Sequence, residues 1–81
     1  MTLVRQDAVN ILDRIPVSVV DYLEECYDQM VVGKNDDDEL YFQAFHYKLM
    51  GALDCLTKLN KITDIESSML YKFYTCNFWE E

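Results

Sequence analysis

The sequence predicts an all-α protein: a compact three- to four-helix bundle with a C-terminal antiparallel helical hairpin. Three observations lead there. Apolar residues recur at steps of three and four along nearly the whole chain. No segment alternates apolar and polar residues as a half-buried strand would. One proline and two glycines are the only strong breakers in 81 residues. This length allows a single domain, 1–81, and 51% hydrophobic residues are too many for a disordered acidic tail. So short a chain hides only about 60% of its unfolded surface, so the core is thin.

The first helix is expected over about 3–15. Val4, Ala8, Ile11, Leu12 and Ile15 share one face, and Pro16 cannot continue the helix. A second helix, about 17–32, restarts at once, with Pro16 or Ser18 suited to its first turn. Val19, Leu23, Cys26 and Met30, with Val20, Tyr27 and Val31, form a broad apolar stripe, and Gly33 is placed to end it in a left-handed conformation. Asp36, Asp37, Asp38 and Glu39 form a polar connection that caps the positive end of the next helix.

The third helix, about 37–60, is the longest. Its stripe runs through Phe42, Phe45, Leu49, Ala52 or Leu53, Leu56 and Leu59. Gly51 sits inside it at a cost of about 1 kcal/mol relative to Ala. Unless it is merely tolerated, Gly51 lets a neighbouring helix approach closely. A turn at 60–62 leads to Thr63-Asp64-Ile65-Glu66, a capping box in which Thr63 and Glu66 each satisfy the other's backbone N–H. Ile62 before the cap is positioned as a hydrophobic staple. Ile65, Met69, Leu70, Phe73 and Tyr74 continue a fourth helix, about 63–77, with Phe78 and Trp79 beyond it.

Chemistry is sparse. His46 is the only histidine, and no nucleophile motif accompanies it, so a partly buried helical histidine is the expected role. Cys26, Cys55 and Cys76 are odd in number and lack zinc spacing, which predicts reduced, buried thiols in a cytoplasm. The acidic run lacks the alternating ligands and central glycine of a calcium loop. Two glycines cannot build a phosphate loop. The polar start argues against a signal peptide, and no apolar run approaches a membrane span. The expectation is a non-enzymatic protein with no cofactor and no metal.

Charge is the most informative feature. The formal net charge is −8, which disfavours direct binding to nucleic acid or an anionic membrane. It is also concentrated. Residues 1–20 are neutral and 40–81 carry −1, whereas 21–39 hold eight acids against Lys34 alone, a net −7. Asp21, Glu24, Glu25 and Asp28 fall at i, i+3, i+4 and i+7, on one helical face without an interleaved cation. Each like-charge pair at such spacing costs a helix roughly 0.2–0.5 kcal/mol. A solvated outer face would explain this, and so would a surface that imitates duplex phosphates and occupies a basic groove. The aromatics offer a second surface, with Phe78 and Trp79 at the chain end the foremost candidates for a partner or for self-association.

The segments 8–16 (AVNILDRIP) and 19–23 (VVDYL) together resemble the helix–proline–helix start of small proteins from Gram-positive bacteria and their mobile elements, some of which accompany toxins. Residues 59–66 (LNKITDIE) resemble the helix, short turn, I-T-x-x-E, helix hairpin of small phage-encoded proteins. The resemblance implies a phage or prophage accessory protein, a class that includes acidic inhibitors of host defence enzymes such as anti-CRISPR proteins. It transfers no site. The leading expectation is an inhibitor that meets a basic, nucleic-acid-binding protein through Asp21, Glu24, Glu25, Asp28 and Asp36, Asp37, Asp38, Glu39. The alternative is a helical regulatory or assembly module, an antitoxin-like partner or homodimer, acting through apolar and aromatic contacts.

Overall fold

The computed structural model describes the backbone of residues 2–79 and the side chains of residues 6–76 and of Phe78. Four helices follow in order: α1 (Thr2–Leu12), α2 (Val17–Asn35), α3 (Glu39–Lys58) and α4 (Asp64–Trp79), with no strand among the described residues. The all-α bundle is therefore as the periodicity predicts. The tightest pairing is α2 with α3, while α4 lies against both α1 and α3.

The helix ends differ from expectation in instructive ways. α1 stops at Leu12 rather than near 15. Pro16 disfavours helical geometry in the residue before it, so the chain unwinds early through two short-range bonds. The N–H of Arg14 donates to the Ile11 carbonyl at 3.0 Å, and that of Ile15 to the Leu12 carbonyl at 3.1 Å. Pro16 then caps α2 with its carbonyl, accepting from Val19 and Val20.

Gly33 does not end α2, which runs two residues further to Asn35. The left-handed stop is Asp37, with φ of 56°. Its N–H reaches the Lys34 carbonyl at 3.2 Å, and the Asp38 N–H reaches the Gly33 carbonyl at 2.8 Å. This pair of bonds is a Schellman closure made without glycine. Asp38 at once caps α3, its Oδ1 accepting from the Tyr41 N–H at 3.1 Å. Asn60, at φ 61°, closes α3 in the same manner through Lys61 N–H to the Leu56 carbonyl. Asp and Asn tolerate this region because their short polar side chains bond locally.

Gly33 has a different purpose. It is buried, and a Cβ placed there would lie 2.8 Å from the Phe42 backbone nitrogen and 3.0 Å from its Cα. The missing side chain is what lets α2 and α3 pack so closely. Gly51 is the reverse: it is exposed, and a Cβ there would meet nothing within 4 Å. Among the described residues no helix uses the gap.

The capping box forms as expected. Glu66 N–H donates to the Thr63 hydroxyl at 3.1 Å, and Thr63 N–H donates to the Glu66 carboxylate at 3.0 Å. Arg14 also pairs with Glu66, tying the turn after α1 to the start of α4. The Thr63 N–H bond and then Arg14 hold the Glu66 carboxyl below its usual range. The core joins all four helices, with Ala8 and Ile11, Leu23, Cys26 and Met30, Phe42, Leu49, Leu53 and Leu56, and Leu70 and Tyr74, together with Ile62 from the α3–α4 turn. Leu59 and Ile65 were expected inside but are 61% and 74% exposed. They flank the α3–α4 turn, where Ile62 is the residue that enters the core.

Candidate functional site

Leu23, Cys26, Met30 and Gly33 turn one face of α2 into the core, which directs residues half a turn away toward solvent. Asp21, Glu24, Glu25 and Asp28 occupy that outer face, and all four are exposed. At 1.5 Å rise per residue the four charges span roughly 10 Å, about one per 3.5 Å of axis. One strand of B-DNA presents a phosphate about every 3.4 Å, so the linear charge density is comparable.

Two ion pairs occur among the described residues, Arg14–Glu66 and Lys58–Asp54, and neither touches this face. Lys34, the one cation within 21–39, has its ammonium 4.9 Å from the centre of the Phe42 ring. Lys48 is likewise placed over Phe45, at 4.5 Å. Cation–π contacts thus engage both lysines with rings.

Glu24 differs from its three neighbours. Its carboxylate accepts a hydrogen bond from the Tyr74 hydroxyl at 3.0 Å, latching α4 to α2 across 50 residues of sequence. Burial, and then the adjacent Glu24 charge, push the Tyr74 phenol well above its ordinary value. Nothing in the local sequence signals this contact, since it depends on how α4 lies. Asp21, Glu25 and Asp28 are the members of the face not drawn into a bond with another helix.

The connection 36–39 is exposed throughout, yet much of it is occupied. Asp37 supplies the left-handed turn, Asp38 caps α3, and Glu39 accepts from the Gln43 amide at 2.8 Å. The run continues the acidic character past the end of α2 while fixing the α2–α3 turn. Among the described residues no three His, Cys, Asp or Glu side chains converge as metal ligands.

Phe78 lies inside α4, which continues through Trp79 rather than stopping near 77. Its ring packs 5.7 Å from Tyr27 and edge-on to Phe42 at 5.2 Å, so it closes the core edge between α2, α3 and α4. The side chain of Trp79 lies outside the described residues.

His46 is buried in α3, with Nε2 2.9 Å from the Tyr71 hydroxyl and its ring stacked on Phe42. Burial lowers its pKa below 6.5. The α3–α4 groove, about 660 Å³ and lined in part by Met50, Thr57, Ser67 and Tyr71, does not include it. Of the cysteines only Cys26 is fully buried, with its thiol pushed up by desolvation. Cys55 is exposed, contrary to the expectation of three buried thiols, because it falls on the outer side of α3.

No described helix is long and apolar enough to cross a membrane. Comparison of the chain with protein-family models, with curated proteins and with solved structures finds no match in any of the three.

Proposed function

We propose that the protein is a non-catalytic inhibitor, of the kind phages and mobile elements direct at host defence proteins, acting through the acidic face of α2. Its target is a basic, nucleic-acid-binding protein whose groove accepts a row of carboxylates in place of phosphates. The observation that carries this reading is the exposed row Asp21, Glu24, Glu25 and Asp28, with a charge spacing close to that of one DNA strand and no ion-pair partner among the described residues. A row held on a helix, itself packed tightly on α3 at Gly33, is preorganised for such a groove. The residues 36–39 extend the field at one end and speed encounter through long-range steering.

The test is the triple reversal Asp21→Lys, Glu25→Lys and Asp28→Lys, leaving Glu24 in place because it anchors Tyr74. Immobilised wild-type protein should retain nucleic-acid-binding proteins from nuclease-treated bacterial lysate, release them as salt is raised, and lose them to added duplex DNA. The reversed variant, folded by circular dichroism, should retain none of them. Unchanged capture by the variant, or capture that duplex DNA does not displace, refutes the reading.

A further inference from the structure

Leu40, Ala44, Tyr47 and Gly51 follow one another at steps of four, three and four along α3, and all face solvent. Leu40 is 84% exposed and Tyr47 66%, large apolar exposures for so small a chain. Beside them the space over Gly51 is open. The buried stripe of α3, from Phe42 to Leu56, lies on the opposite side of the helix. Among the described residues no helix covers the outer one.

We propose that a second copy of the chain docks here, α3 against α3, antiparallel about a two-fold axis. Size complementarity sets the register. A pairing centred level with residues 45–46 places Leu40 opposite Gly51 of the second copy, and Ala44 opposite its Tyr47. Each large side chain then meets a small one, and the two-fold axis repeats both contacts. The absent Cβ at Gly51 is the hole for the Leu40 knob, and Ala44 leaves room for the Tyr47 ring. A parallel pairing would set Leu40 on Leu40 and leave an empty gap between the glycines.

Electrostatics permits this face. Two chains of charge −8 repel unless they meet where charge is balanced. The charged residues of α3, Glu39, Lys48, Asp54 and Lys58, sum to zero, whereas the acidic row of α2 lies on the side of its own helix turned from the core. One helix pair covers less than the roughly 800 Å² per partner of a standard interface, so the dimer is weak and forms with rising concentration. The open gap at Gly51 thereby acquires a purpose that no helix among the described residues supplies.

Sedimentation equilibrium of the full chain over a wide concentration range tests this. The wild-type mass should rise from one chain towards two. Leu40→Ala and Gly51→Leu should each weaken association by about tenfold or more, because the two-fold axis uses each contact twice. The combined L40A/G51L exchanges knob and hole and should restore association. Tyr47→Lys should abolish it, and all these positions are exposed, so the helical signal should persist. The D21K/E25K/D28K variant should dimerise like the wild type, which separates this interface from the acidic one. A single-chain mass up to about 1 mM overturns the proposal. So does a dimer indifferent to L40A and G51L, a double variant that fails to recover, or a dimer lost on reversing the α2 face.

Discussion

Substituting Gly33 by Ala sets two opposing terms against each other at one position. Ala is favoured over Gly inside a helix by about 1 kcal/mol. The new methyl, however, would sit 2.8 Å from the Phe42 nitrogen and 3.0 Å from its Cα. These are backbone atoms in the first turn of α3, held by the Phe42 N–H bond to the Asp38 carbonyl at 3.0 Å. They cannot rotate away as a side-chain tip would. Restoring ordinary contact at about 3.5 Å or more requires α2 and α3 to part by roughly 0.7 Å, which weakens the surrounding dispersion contacts by a quarter or more. Overpacking of this kind costs about 1–3 kcal/mol, and a backbone obstacle puts it in the upper half. The net expectation for G33A is a loss of about 1–2 kcal/mol. For a domain of this size that lowers Tm by roughly 4–16 °C. Gly51→Ala is the internal control: with nothing within 4 Å, only the helix-propensity gain remains. It should add about 0.5–1 kcal/mol. Both are read from thermal and urea unfolding by circular dichroism, at low concentration so that association does not contribute. A G33A protein as stable as the wild type, or two variants shifting in the same direction, would refute the assignment of close packing to Gly33.

Two further outcomes are expected. Thr63→Ala removes the hydroxyl that accepts from the Glu66 N–H and should cost about 1 kcal/mol of stability, measured as a lower urea midpoint; an unchanged midpoint would mean that the start of α4 does not depend on its cap. For His46, burial lowers the folded pKa below 6.5, so just under pH 6.5 the unfolded chain binds more protons than the folded one. Stability should therefore be fully present above that pH and decline as pH falls through the folded pKa. A His46→Phe variant should lose this part of the slope between pH 7 and about 5, and an identical slope would show that His46 does not titrate in that range.

Much of this protein can be read from segments of a few residues. The three-and-four spacing foretells four helices, because periodicity reports a helix's buried face wherever its partner lies. The Thr63/Glu66 box was legible for the same reason, since donor and acceptor sit within one turn, whereas the acidic run was legible only as a capping region and not as Asp38 in particular. The acidic row of α2 is a count of charges at helical spacing, and its exposure follows from the opposite stripe being apolar. Leu40 and Tyr47 also fall outside the α3 core stripe in sequence, a signal that the reading of their helix as simply amphipathic passed over.

The sequence alone thus determined the helical class, the approximate elements, the capping box and the place where negative charge gathers. Only the tertiary structure decided what the two glycines are for, which residues stop the helices, and which acid is tied down. A glycine looks the same in sequence whether it serves a left-handed turn, a close approach or neither. Gly33 was set apart from Gly51 by where the backbone of Phe42 lies. The left-handed stops fell to Asp37 and Asn60 because helix packing, not residue preference, chose where the chain had to turn. Glu24 was distinguished from Asp21, Glu25 and Asp28 by a tyrosine 50 residues away, and Phe78 was drawn inward by rings on α2 and α3. Contacts of that range depend on how elements settle against one another, and no local pattern carries that information.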